Sequence, residues 1–400
     1  MSPPVLSIAP RHALAAVGAA AAMILVACGS SGEDGGVPSN ARPPELALGD
    51  GTATSVRFVT LFTPASPVSA PDLDFNPSRP GELWVVLRQP PGGGPCNTPV
   101  SGVRADVAAC NAYGGRVAII RGATGERPSA ILEKDSNAWH FMRLPPAIAF
   151  GEGDTFATCG EARTGNHDDE PGDFMGPTLW SSDPKIFAVL RPAANGSHID
   201  MLHATPFGMG IAHERDNVYW VFNGQVGALD RYDFHAPHQP GGDNHSDGEA
   251  WRWGLGQVSR VPGVPSHLVV DPESHLLYVA DTGHHRVLRV DTRSGTLGEP
   301  LPTDDGQMPF ITSIDRAKID EVIPKGVLER PSGIALAGSL LFVSDNATSR
   351  IHSFDLEGHP VQSLDTGLPP GSLAGVVVGP DGRVYFGDLA TGRVRRIDPL

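Results

Sequence analysis

Basic charge is scarce in this chain. Thirty Lys and Arg stand against 45 Asp and Glu in 400 residues, a formal net charge of −15. Phosphate backbones are held by basic surface, so nucleic acid is excluded as a general partner. Motifs that announce common chemistries are also missing. There is no Cys-x-x-Cys-His run, which removes a covalently attached c-type haem. No Gly-x-Ser-x-Gly elbow, P-loop or dinucleotide-binding glycine fingerprint occurs. Cysteine is limited to four residues, Cys28, Cys96, Cys110 and Cys159. Long helices are excluded by what is abundant instead: 48 Gly and 38 Pro punctuate the chain throughout.

A membrane-spanning run is absent too. The stretch Ala13 to Ala27 is apolar but only 15 residues long, whereas a span needs about 20. With Arg11 before it, this stretch has the shape of a secretory signal. It ends in Leu25-Val26-Ala27-Cys28-Gly29, which resembles a bacterial lipobox. That resemblance implies that Cys28 becomes the lipidated first residue of the mature chain. The alternative is an ordinary signal peptide with an incidental cysteine. Gly29-Ser30 after the cysteine points to the outer membrane of a Gram-negative cell envelope. Residues 1–28 therefore read as signal peptide and lipobox, 29–50 as a Gly/Ser/Pro-rich tether, and 51–400 as one all-β domain. Export places the remaining cysteines in an oxidising compartment. Cys96 and Cys110 flank an insertion and are a candidate disulfide, which leaves Cys159 over.

The domain is organised by a repeat. Six segments share an apolar strand, a turn and a second apolar strand: 71–87, 146–159, 207–223, 265–281, 332–345 and 374–388. Their starts lie 42 to 75 residues apart. A period of this size with several short strands per unit marks a propeller. Three units carry Asp, four residues, Arg and then Val or Ile: Asp281 with Arg286, Asp345 with Arg350, and Asp388 with Arg393. Such residues face each other across a hairpin, so we assign them to turn amides and charge pairing. Asn223 and Cys159 occupy the Asp position in units three and two. The last unit has room for only three strands before Leu400, and Ser55 to Phe62 is an orphan strand that would complete it.

The motifs PSGIAL…LLFVSDNATSRIHSFD and PSHLVV…LLYVADTGHHRVLRVD resemble NHL-repeat β-propellers. The resemblance implies a six-bladed propeller closed by the N-terminal strand. It is similar in kind to the peptidyl-hydroxyglycine amidating lyases, propellers that hold zinc through channel histidines. His267, in a Pro-Ser-His-Leu-Val context, looks like one such histidine. The other blades supply no matching Pro-x-His.

Antiparallel alternation puts the loops from strand two to three, and from strand four to the next blade, on one face. His167, Asp168, Asp169, His198, Asp200, His203, His267, Cys159 and Glu161 would approach the channel mouth there. On the opposite face the third blade carries His213, His235, His238, Asp243, His245 and Asp247. Imidazoles and carboxylates suit Zn, Cu or, for the oxygen-rich loop, Ca. The alternative for both groups is hydrogen-bonded polar surface. The sequence therefore supports a monomeric, lipid-anchored envelope propeller that binds a protein, peptide, glycan or small molecule, with or without a divalent metal. A metal-dependent lyase or a lactonase-type enzyme, the latter drawing on Asp72 and Glu161, is the second expectation.

Overall fold

The computed structural model describes residues 42–89, 114–164, 175–189, 195–303 and 305–400. Among them, every long element is a strand. β1 (Val56–Phe62) is followed by six blades. Blade one holds β2 (Ser69–Phe75), β3 (Leu83–Arg88), β4 (Arg116–Arg121) and β5 (Ser129–Glu133). A single helical turn, α1 (Ala138–Phe141), leads to blade two. That blade has β6 (Ile148–Phe150), β7 (Thr155–Thr158), β8 (Thr178–Ser181) and β9 (His198–Met201). Blade three has β10 (Gly208–Arg215), β11 (Val218–Asn223), β12 (Ala228–Asp233) and β13 (Glu249–Trp253). Blade four has β14 (Leu268–Asp271), β15 (Leu276–Asp281) and β16 (Arg286–Asp291). A hairpin, β17 (Thr296–Pro302) and β18 (Phe310–Asp315), is inserted before its last strand, β19 (Ile319–Ile323). Blade five has β20 (Pro331–Ala337), β21 (Leu340–Asp345), β22 (Arg350–Asp355) and β23 (Pro360–Asp365). Blade six has β24 (Leu373–Val378), β25 (Val384–Asp388) and β26 (Val394–Pro399).

The six expected strand pairs are the first two strands of the six blades. β1 pairs antiparallel with β26, Phe58 opposite Ile397, and completes blade six. The Leu400 amide donates to the Ser55 carbonyl, 2.9 Å, and Arg57 meets Asp398 at 3.0 Å. Packing begins earlier than the composition indicates. Ala47 and Leu48, within the expected tether, are buried in the junction between blades five and six.

The core is divided among the blade junctions. Six apolar clusters of the described residues lie one at each junction. Between blades one and two, Trp84 meets Phe156 at 5.0 Å and Phe150 at 5.4 Å between ring centres. Edge-to-face rings combine large buried area with a favourable quadrupole arrangement. The polar tips are satisfied: Trp84 Nε1 donates to Glu82 and Trp180 Nε1 to Thr158.

Inner strands approach each other closely around the axis. A Cβ on Gly210 would lie 2.0 Å from the Ser266 carbonyl oxygen, so this position needs glycine. The Ser266 amide bonds the Met209 carbonyl and the His267 amide bonds that of Ser332, both 2.9 Å. Between blades one and two, the Asp72 carboxylate takes the Ile148 amide and Asp74 takes that of Phe150. Edge amides that would otherwise be buried without partners are thereby paired.

The β17–β18 hairpin was not legible from the repeat. β18 runs parallel to β13, so the insertion from blade four extends the sheet of blade three to six strands.

The recurring Asp residues have the expected structural role. Asp281 is fully buried and accepts from the Ser259 amide, His284 Nδ1 and Arg286 Nε. Asp345 and Asp388 accept turn amides. The charge pairing holds in blade four, whereas Arg350 turns instead to Ser363 and Asp365. Replacing Asp281 with Ala strands three donors and should cost about 3 kcal/mol, read as a lowered urea midpoint with an unchanged m-value.

Candidate metal centre

Among the described residues, the channel mouth is not where the histidines meet. His267, on the turn into β14, crosses the axis as a strut. Its Nε2–H donates to the Pro146 carbonyl, 3.1 Å, and its Nδ1 faces Asp72 Oδ1 at 3.4 Å. It thus ties blade four to blades one and two. Burial pushes Asp72 up to about 8 and Asp74 up to about 7, the latter also through the neighbouring Asp72 charge. Burial pushes His267 down to about 4. Both partners of the strut are therefore neutral at pH 7, the protonated carboxyl facing the free imidazole nitrogen. A cavity of about 220 Å³ lies along these residues, lined also by Leu73, Phe150 and His213.

On the face where sequence alternation placed a catalytic mouth, charge pairs bridge the blades. Arg88 Nη1 meets Glu161 at 2.7 Å, Arg88 Nη2 donates to the Gly263 carbonyl, and Arg260 meets the same Glu161 at 3.3 Å. Glu161 is consumed in these contacts rather than being open to a metal. Cys159 is a buried free thiol against Gly208, and burial holds its pKa above the usual thiol range. A buried protonated thiol is an inert core residue.

The imidazoles that do converge are His198, His238 and His245. One ligand atom from each lies within 4.8 Å of the others. This corrects the division into two faces. His198 opens β9, opposite Trp180, at the end of blade two away from the strand two-to-three turn. The segment after β12 leaves that same face and doubles back along the outer edge of β9. The His238 amide bonds the Ile199 carbonyl, and the Gly241 amide bonds that of His198. β9 is the outer strand of its blade, and this segment pairs its exposed edge. Gly242 lets it close, since a Cβ there would sit 2.7 Å from His238 Nδ1.

Each ring is held by its other nitrogen. His198 Nδ1–H donates to the Asn195 carbonyl, 2.9 Å, and His238 Nδ1–H to that of Gln239, 2.7 Å. His245 Nδ1–H donates to Asp200 Oδ1, 2.8 Å, which also takes the Met201 amide. The Asn195 and Gln239 carbonyls can only accept, which fixes the Nδ1–H tautomer of His198 and His238 and leaves their Nε2 lone pairs unused; His245 Nδ1 lies between Asp200 Oδ1 and the Met201 amide, 2.8 and 3.1 Å away. His198 Nε2 and His238 Nε2 are buried and have no hydrogen-bond partner. His198 is stacked on Phe141 at 3.7 Å. Burial, with His238 and His245 adjacent, pushes its pKa down to about 3. The ring is neutral, the state a metal requires.

The inserted hairpin of blade four braces the centre. Gln307 accepts the His245 amide, 2.7 Å, and donates to the Asp243 carbonyl, 3.0 Å. Asp305 holds His203 Nδ1 at 2.6 Å. His203 packs beside His245, 6.1 Å between ring centres, outside the converging set. Asp305 and Gln307 carried no signal in the repeat pattern, because the hairpin lies outside its frame.

The remaining candidates are dispersed. His213 bonds the Asp216 carbonyl, His235 lies near Asp233 and Glu249, and Asp247 accepts the Ala236 amide. Cys28, Cys96, Cys110, His167, Asp168 and Asp169 lie outside the described residues.

The fold and these repeats define the class, a six-bladed β-propeller of the NHL-like kind. No family model matches the chain. A stretch of 101 residues is 28% identical to NHL repeat-containing protein 2 of Bos taurus and 27% identical to that of Homo sapiens. The match spans 25% of this chain and 12% of the length of those relatives. Among solved structures, an auxiliary nutrient binding protein from Bacteroides thetaiotaomicron superposes with TM-score 0.51 at 13% identity. The superposition covers 86% of this chain and 76% of that one. Regucalcin from Agrobacterium tumefaciens, a calcium-binding protein, gives 0.47 at 12% identity, covering 86% and 97%. Likeness at these identities bears on the fold alone.

The channel strut has a pH consequence. Asp72 is raised from its ordinary 3.8 to about 8, so the folded chain keeps a proton there that the unfolded chain releases. The stability from this group is full below pH 3.8 and is lost as pH rises to about 8. Asp72→Asn should therefore lose less stability than the parent between those limits, measured by urea midpoints at each pH.

Proposed function

We propose that this chain is an exported, metal-binding propeller that captures its ligand beside a zinc-class divalent ion held by His198, His238 and His245. The observation that carries the reading is the convergence of one ring nitrogen from each of the three histidines within 4.8 Å, with a buried, unpartnered Nε2 on His198 and on His238. Three imidazoles suit zinc or copper and disfavour calcium, which takes oxygen ligands. Asp200 behind His245 matches the carboxylate–histidine–metal arrangement that orients a ligand ring. Because His198 comes from blade two and the other two rings from blade three, an ion there joins the two blades.

Elemental analysis should find one zinc per chain after dialysis against the metal. Zinc at roughly a thousandfold excess over Kd should add about 4 kcal/mol to stability. His238→Ala, in a half-buried loop position, should abolish both the zinc and the added stability while leaving the metal-free melting temperature unchanged. His198→Ala should do the same to the metal.

The export reading rests on the apolar run Ala13–Ala27 and the Leu25–Gly29 motif. A lipid on Cys28 would tether the propeller to the envelope and leave its faces free for a protein, peptide, glycan or small molecule. Cys28→Ser should move the chain from the membrane pellet to the soluble fraction, with the metal content of the propeller unchanged.

A further inference from the structure

We infer that residues 235–247 form a strap that gates the three-histidine centre: the ion enters and leaves only when the strap lifts off β9, and once bound it holds the strap down. This rests on the metal reading above. The atoms that would meet the ion are shut off from solvent. His198 Nε2 and His238 Nε2 are buried without a hydrogen-bond partner, and so is Asp200 Oδ2. His198 and Asp200 belong to β9 and are fully buried, whereas His238 and His245 ride on the strap. The donors therefore lie on both sides of one seam, and while the seam is closed nothing from solvent reaches them.

Of the two sides, the strap is built to move. Its ends are anchored: Phe234 before it and Ala250 after it are buried apolar residues. Between them, within residues 235–247, His245 alone is buried. His235 turns the chain out of β12 with its backbone in the left-handed region, φ 49°. Polar contacts hold the middle. The His238 and Gly241 amides bond the Ile199 and His198 carbonyls at 2.9 and 2.8 Å, and the Asn195 amide bonds the Gly241 carbonyl at 3.3 Å. Gln307 of the inserted hairpin takes the His245 amide and gives to the Asp243 carbonyl. A segment with few buried apolar contacts and hydrogen bonds near the surface opens locally at small cost, while the core strands under it stay closed. An ion bound to rings on both sides of the seam favours the closed form, so it lowers the frequency of opening.

The experiment compares the full chain with Gln307→Ala, which removes two strap contacts from an exposed side chain and touches no ring nitrogen. Hydrogen exchange at the His238 and Gly241 amides reports opening, and a coloured chelator in excess reports zinc release. Zinc should slow exchange at both amides in either protein. In the zinc-free chain Gln307→Ala should speed it about tenfold, the net worth of the lost hydrogen bonds. The variant should take up and release zinc faster by that same factor, so Kd stays the same. Release from the parent should level off as chelator is raised, because opening limits it. Release that climbs in proportion to chelator, or a variant that loses affinity with an unchanged rate of uptake, would overturn the gate and leave the metal site standing. Amides that exchange alike with and without bound zinc would do the same. If no zinc binds at all, the metal reading falls, and this inference with it.

Discussion

A four-stranded antiparallel blade has two apolar faces and can bury neither by itself. Everything else in this molecule follows from that constraint. Each blade seals one face against its predecessor and the other against its successor, so the core is shared out over six junctions. The arrangement holds only if the ring closes, which is why β1 sits on β26 beside a chain terminus more than 300 residues away. It also requires inner strands to come within contact distance of each other. Glycine at position 210, and carboxylates at Asp72 and Asp74 that take the neighbour's amides, meet that requirement.

The same packing explains where polar chemistry is absent and where it is present. Near the axis the inner strands crowd together, and His267 and Asp72 are buried in a neutral strut between blades. At the outer rim the constraint is different. There the outermost strand offers an unpaired edge that must be covered. In blade two, the chain following β12 covers it, and the histidines of that segment are carried onto His198. The histidine cluster is thus a by-product of edge protection, with Asp200 at the His245 ring and Gln307 at the His245 backbone amide.

Much of this architecture was legible in the sequence, for a local reason. The Asp–Arg frame of Asp281, Asp345 and Asp388 recurs in three units because the same hairpin recurs, and counting the wider strand–turn–strand pattern yields six blades and an orphan closing strand. The histidines of the centre were legible as residues outside that frame, but not as a group. His198 was placed with His203 and His267, and His238 with His235 and His213, because alternation of strands assigns loops to faces and nothing more. It does not say that His198 is the first residue of an outer strand, nor that the His238 loop folds back along it. Asp305 and Gln307 were invisible, since they sit on a hairpin that leaves its own blade to join the sheet of another.

The sequence by itself determined the blades, because strand and turn preferences act within a few residues and a repeat amplifies them. It determined which residues are exceptional by the same logic. Only the tertiary structure decided that His267 is a strut, that Glu161 is spent in ion pairs, and that His198, His238 and His245 share one centre. Those outcomes depend on separations of tens of residues across a sheet edge, and a side chain's partners there are set by how neighbouring blades bury their faces.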